Sequence, residues 1–193
     1  MDRAAEERSG DRVVTTPYEP DEMLRVLVEA GVRFIVIGGV AAGLRGSALL
    51  TNDLDVCYAR EREDLERLAD ALRSIGARLR GPDVPDDISF VLDARTLAVG
   101  DTFTFRTNLG DLDILATPSG TMGFPDLDQG ATVFRIAEGL EVRVCSLDDL
   151  IRMKRAAKRT KDLVQLEDLA ALRERIELMR AAGEDPQQGS SGG

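Results

Sequence analysis

Phe34-Ile-Val-Ile-Gly-Gly-Val-Ala-Ala-Gly-Leu-Arg-Gly-Ser-Ala-Leu-Leu-Thr-Asn-Asp-Leu-Asp-Val-Cys57 is the stretch on which the reading of this chain turns. Phe34 to Ile37 is an unbroken apolar run, as expected of a strand buried on both faces. Gly38-Gly39 then reads as a tight turn, Val40 to Gly46 as a short Ala-rich helix, and Asp53 to Tyr58 as a second strand. On a strand, residues two apart point to the same face, so Asp53 and Asp55 stand side by side while Leu54 and Val56 face the other way. Two adjacent carboxylates repel each other, and a bound cation is the usual remedy.

Outward from this stretch, the pattern repeats once. Leu112-Asp113-Ile114 places a third carboxylate between apolar neighbours on another predicted strand, with Asp111 on the same face but next to the Gly110 turn. Three carboxylates from two strands can form an oxygen cage suited to magnesium or manganese. Asp113 is the stronger candidate and Asp111 the reserve. The Gly38-Gly39 pair allows positive φ and also the close approach of backbone to a phosphate, helped by the start of the helix that follows. Its spacing matches neither a P-loop nor a dinucleotide fingerprint.

Later in the chain, Lys154 interrupts an apolar stripe of Leu147, Leu150, Ile151 and Ala157 on a predicted helix. A lysine there either snorkels past the core or reaches a buried anion. Arg152, Arg155, Lys158, Arg159 and Lys161 surround it, making a basic segment in an acidic protein. Such a segment is either a solvated helix face or a seat for a triphosphate tail.

The remaining elements follow from period and punctuation. Helices are expected from Asp21, as cap, to about Ala30, then over 61–75, 147–158 and 160–179. Strands are expected over 88–92, 102–107, 111–116, 132–137 and 140–145, with hairpins at Asn108-Leu109-Gly110 and Glu138-Gly139 and a loop or short helix over 118–130. Residues 1–18 and 183–193 read as disordered tails around a single domain at 19–182. Strands alternating with helices, several joined by hairpins, predict a mixed sheet flanked by helices in an α/β (α+β) domain.

Composition sets the limits. The chain has 193 residues, 43% of them hydrophobic and 31% charged, enough for one proper core and short for two. A formal net charge of −10 argues against a generic nucleic-acid or anionic-membrane surface. The absence of histidine excludes a zinc site of the usual kind and any His-based triad. Two cysteines, each closing an apolar run, suit small buried thiols in a cytoplasmic protein. The N-terminus carries no signal-peptide pattern, and no apolar run approaches the roughly 18 residues that span a bilayer.

Gly-Gly, thirteen residues, Asp-Leu-Asp-Val and a later Leu-Asp-Ile together resemble the nucleotidyltransferase superfamily with the DNA polymerase β-like fold. The segments Phe-Ile-Val-Ile-Gly-Gly-Val-Ala-Ala, Thr-Asn-Asp-Leu-Asp-Val and Ser-Leu-Asp-Asp-Leu-Ile-Arg-Met-Lys are most similar to small bacterial AbiEii-like and minimal nucleotidyltransferases. The resemblance runs from about Leu24 to Leu172. It implies a nucleoside triphosphate bound with two divalent ions, Mg2+ or Mn2+. Gly38, Gly39 and Thr51 would face the nucleotide, and Asp53, Asp55 and Asp113 would ligate metal. Asp113 would also serve as base, and Lys154 with Lys161 would meet the β- and γ-phosphates. The implied acceptor is a macromolecule, protein or tRNA, with a cognate toxin or antitoxin protein as partner. The alternatives are a small-molecule (antibiotic) nucleotidyltransferase and a partner-binding module that keeps the fold without turnover. The chain departs from the usual pattern at Arg45, where relatives often carry His, at Leu49 and Leu50, where an Arg is frequent, and at Gln165, where an Asp is frequent.

Overall fold

The computed structural model describes residues 17–81, 90–158 and 162–182. The elements run α1 (Pro20–Glu29), β1 (Phe34–Ile37), α2 (Gly38–Leu44), β2 (Asp53–Tyr58), α3 (Arg62–Ser74), β3 (Arg78–Leu79), α4 (Ala94–Val99), β4 (Thr102–Thr107), β5 (Gly110–Leu115), α5 (Phe124–Gly130), β6 (Thr132–Ala137), β7 (Leu140–Val144), α6 (Leu147–Ala157) and α7 (Asp162–Ala181). The strands form one mixed sheet in the order β3-β4-β5-β2-β1-β7-β6. The pairs β2/β5 and β1/β7 are parallel, and the other neighbours antiparallel.

Alternation along the strands separates two faces. Leu54, Val56, Leu112, Ile114 and Phe105 point to one face and are fully buried. Helices α1, α3 and α4 back it: Thr107 Oγ1 contacts the Met23 sulfur from α1, and Tyr58 donates a hydrogen bond to the Leu97 carbonyl of α4 at 3.2 Å. Asp53, Asp55, Asp111 and Asp113 lie on the opposite face, where α2 and α6 pack. The expected mixed sheet with flanking helices is therefore present. Among the described residues, no helix is long and apolar enough to cross a membrane.

Several boundaries differ from expectation for local reasons. Helix α1 starts two residues early because Pro20, its φ already helical, occupies the first turn with Glu19 at the N-cap position; Asp21 sits inside that turn rather than capping it. Gly38 and Gly39 are the first residues of α2, not a turn ahead of it. The strand expected at 88–92 does not form over its described part: Phe90 instead packs its ring against Phe103 and Phe105, with centroids 5.9 and 6.1 Å apart. Helix α4 follows, unanticipated, with the Asp93 carboxylate accepting from the Thr96 N–H at 2.7 Å as N-cap. Strand β3 is only two residues long, too short for a periodic signal. Expectations for residues 1–16, 82–89, 159–161 and 183–193 lie outside the described residues.

Away from the acidic face, Asp64 on α3 is buried at 2% exposure. Its carboxylate accepts from Arg33 Nε at 3.0 Å and from Arg33 Nη2 at 2.6 Å, tying α3 to the start of β1. Asp64→Ala is expected to lower unfolding stability by about 1–3 kcal/mol in urea titration, below the cost of breaking a fully buried pair because the half-exposed Arg33 can rehydrate.

Candidate functional site

Parallel pairing of β2 with β5 sets Asp53 opposite Asp111 and Asp55 opposite Asp113. Antiparallel pairing of β5 with β4 then sets Arg106 beside Asp111 and Thr104 beside Asp113. The result is two rows across one sheet face, at the usual strand spacing of about 4.8 Å. One row reads Arg78, Arg106, Asp111, Asp53; the other reads Thr104, Asp113, Asp55, Ile37. Asp53, Asp55 and Asp113, singled out from sequence, thus share one face, with Asp111 beside them.

The local chain holds each carboxylate differently. Thr51 Oγ1 donates to Asp53 Oδ1 at 2.6 Å, and Tyr18 donates to the Asp53 carbonyl at 2.9 Å. Asp55 accepts from the Gly39 backbone N–H. Burial pushes the Asp55 carboxyl up to about 7; Asp53 and Asp113 push the same way, and Lys154 and the Gly39 N–H oppose them. Asp113 is also raised, mainly by burial, against the pull of Arg80. Tyr18 is raised to about 12, by burial first and then by Asp53 and Asp55.

The two glycines are explained by what lies over them. Gly38 has φ +65°, and a Cβ on it would fall inside the Asp55 carboxylate. A Cβ on Gly39 would stand 2.5 Å from Thr51 Cβ. Their absent side chains let α2 lie directly on the two residues that precede and form the acidic strand. Lys154 reaches the same neighbourhood from α6, close enough to act electrostatically on Asp55. Lys161 lies outside the described residues.

Arg80 was not anticipated. Its guanidinium donates to Asp111 Oδ2 at 2.9 Å and to Asp113 Oδ1 at 3.1 Å, bridging the two carboxylates of β5. The available signal was the Arg78-Leu79-Arg80 alternation, which puts both arginines on the acidic face once β3 pairs with β4. Arg45 behaves in the opposite way. It stands where relatives often carry His, yet it donates to the Cys145 carbonyl at 2.5 Å, the Val144 carbonyl at 3.0 Å and Thr132 Oγ1 at 3.0 Å, and lies over the Phe134 ring. It pins the end of α2 to β6 and β7.

Hard oxygen donors on one face, with Asp55 carrying the cost of buried like charge, fit a divalent cation in chemistry. Among the described residues, however, no three acidic or cysteine side chains are gathered into a ready-made cation site. Arg80 already neutralises part of the β5 charge, and Asp113 would have to exchange it for a metal.

No protein-family model and no curated relative matches the sequence. Solved structures do match. The crystal structure of the lincosamide antibiotic adenylyltransferase LnuA, lincomycin-bound, superposes with a TM-score of 0.54 at 12% identity, over 82% of this chain and 99% of that one. The chain has the nucleotidyltransferase fold. ANT(2'')-Ia in complex with adenylyl-2''-tobramycin also aligns, with a TM-score of 0.46 at 16% identity, over 83% of this chain and 91% of that one. In the nucleotidyltransferase fold of this chain, the acidic face is framed by α2 and α6 on one side and by the Arg80 strand edge on the other.

Proposed function

We propose that this protein is a nucleotidyltransferase that moves a nucleoside monophosphate from a nucleoside triphosphate onto an acceptor hydroxyl. The observation that carries the reading is the register that sets Asp55 beside Asp113, with Asp53 two residues away and Lys154 approaching Asp55. Asp53, Asp55 and Asp113 would hold two divalent ions, magnesium or manganese, which supply Lewis-acid stabilisation of charge on the phosphates. Asp113 takes the proton of the acceptor hydroxyl as its oxygen attacks the α-phosphorus. The bond from that phosphorus to the β-phosphate oxygen breaks, and pyrophosphate leaves. Lys154, with Lys161, meets the charge of the leaving phosphates, while Gly38 and Gly39 let backbone approach them and Thr51 holds Asp53 in place.

We place the acceptor among macromolecules, protein or tRNA, and the protein in a bacterial toxin–antitoxin or defence pair with a cognate partner. The sequence resemblance supports this, and so does the partial exposure of the carboxylate face. A second reading, a small-molecule acceptor, is favoured by the near-complete coverage of a lincosamide adenylyltransferase.

Incubation with labelled nucleoside triphosphates, magnesium, cell extract and a panel of hydroxyl-bearing antibiotics tests both. Label is expected on a protein or RNA of the extract and is lost when Asp53→Ala is combined with Asp55→Ala. Label on a drug alone moves the acceptor to the second reading. No transfer, or transfer that survives the double substitution, overturns the proposal. Calorimetry that also finds no triphosphate binding with magnesium or manganese identifies a partner-binding module that keeps only the fold.

A further inference from the structure

Arg80 touches both carboxylates of β5, and it comes to them from the outer edge of the sheet. Its backbone N–H donates to the Thr104 carbonyl at 2.8 Å, which fixes the residue against β4 just past the end of β3. From there the guanidinium reaches across β4. Nη1 stands 2.9 Å from Asp111 Oδ2, and Nη2 stands 3.1 Å from Asp113 Oδ1. On the other side of β5, Asp53 and Asp55 of β2 face the same two residues. Asp113 therefore lies between an arginine on one side and further carboxylates on the other.

The two ends of this bridge are held differently. Asp111 also meets Arg106, at 3.5 Å, whereas Asp113 accepts from the Thr104 hydroxyl as well as from Arg80. The Arg80 Nε is buried and donates to nothing, so the two carboxylates position the guanidinium without a complete set of bonds. Each Nη serves a different carboxylate, so Arg80 can give up Asp113 at the expense of one hydrogen bond and keep Asp111. Thr104 would still hold Asp113 in place after that exchange.

We propose that Arg80 and Asp111 are positioning residues for the cation site. Arg80 occupies Asp113 until a divalent ion replaces it, and Asp111 is the anchor that retains the released guanidinium rather than a metal ligand. The affinity of Asp113 for metal is thus set by a competition inside the protein. The inference deepens the nucleotidyl-transfer reading and rests on its metal site.

Manganese alone, titrated calorimetrically into the whole protein at neutral pH, tests the exchange. Arg80→Ala is expected to bind manganese about fivefold tighter than the parent or more. Arg106→Ala removes an equal charge that touches Asp111 alone, and should change the affinity less than about twofold. Arg80→Lys keeps the charge but loses the fork that spans two carboxylates, so it should fall between the parent and Arg80→Ala. Asp111→Asn removes the anchor, leaves Arg80 on Asp113 and should weaken binding by about threefold or more. In the Arg80→Ala background the same substitution should cost less than about twofold. Cooperative urea unfolding in EDTA establishes that each variant keeps its fold. An Arg80→Ala gain no larger than that of Arg106→Ala, an Arg80→Lys affinity equal to the parent's, or an Asp111→Asn loss of equal size in both backgrounds overturns the exchange and leaves the transfer reading intact. Absence of manganese binding to both the parent and Arg80→Ala also overturns it. The transfer reading falls with it only if nucleoside triphosphate with manganese fails to bind as well.

Discussion

Asp55→Asn should unfold at higher urea concentration than the parent at pH 8 in EDTA, and should lose nucleotide transfer by at least about a hundredfold. The two effects share one cause. The Asp55 carboxyl, ordinarily near 3.8, is pushed up to about 7 by burial and by Asp53 and Asp113. Between those values the folded chain keeps a proton that the unfolded chain releases, so stability falls as pH rises from about 4 to 7 and levels off above. At most a shift of this size represents roughly 4 kcal/mol, and its coupling to Asp53, Asp113 and Lys154 brings a realistic figure to about 2–4 kcal/mol. Asparagine keeps the shape and removes the charge, so urea midpoints of the variant should stay flatter from pH 5 to pH 8. Magnesium should raise the parent's midpoint at pH 8 and leave the variant's unmoved, because a cation stabilises only the state whose ligands it can hold. An unchanged pH slope in the variant would show that the cost sits on another group.

Gly38→Ala carries the second large effect. Gly38 adopts φ +65°, a conformation costing an L-residue about 1–2 kcal/mol, and the added methyl would fall inside the Asp55 carboxylate. The combined loss should reach about 3 kcal/mol or more, with transfer abolished because Asp55 has to rotate away. Combining Gly38→Ala with Asp55→Ala should relieve the clash with the carboxylate but neither the 2.8 Å approach to the residue-55 Cβ nor the backbone strain, giving a partial non-additive coupling in a double-mutant cycle. Gly43 is the internal control. It lies in the same helix, and a Cβ there meets nothing within 4 Å. Gly43→Ala should therefore be neutral or stabilising by up to about 1 kcal/mol. Equal destabilisation at both positions would point to a general intolerance of α2 rather than to the contact with Asp55.

Much of this site was legible because its signals are local. The apolar-Asp-apolar alternation of 53–56 and 112–114 fixes which face each carboxylate takes whatever the strands pair with. Lys154 stood out because it broke a helical stripe. Helix α4 went unseen because its evidence is a single cap, Asp93 on Thr96, and its six residues make fewer than two turns, too short for a periodic signal. Phe90 looked like strand because aromatic residues favour strands; here its ring fills a cluster with Phe103 and Phe105 while its backbone stays outside the sheet.

By itself, the sequence determined the alternation of strands and helices, the acidic face of β2, the third carboxylate on β5 and the glycines at the start of α2. These depend on period and on conformations that only particular residues adopt. Only the tertiary structure decided which carboxylates become neighbours, because the register of β2 against β5 is a long-range pairing no local pattern encodes. It also decided that Arg80 bridges Asp111 and Asp113, that Arg45 turns to the backbone of β7, and that Gln165 and Leu50, 115 residues apart in the chain, line one cleft. The physical reason is the same each time: a long polar side chain can satisfy several partners, and packing chooses among them.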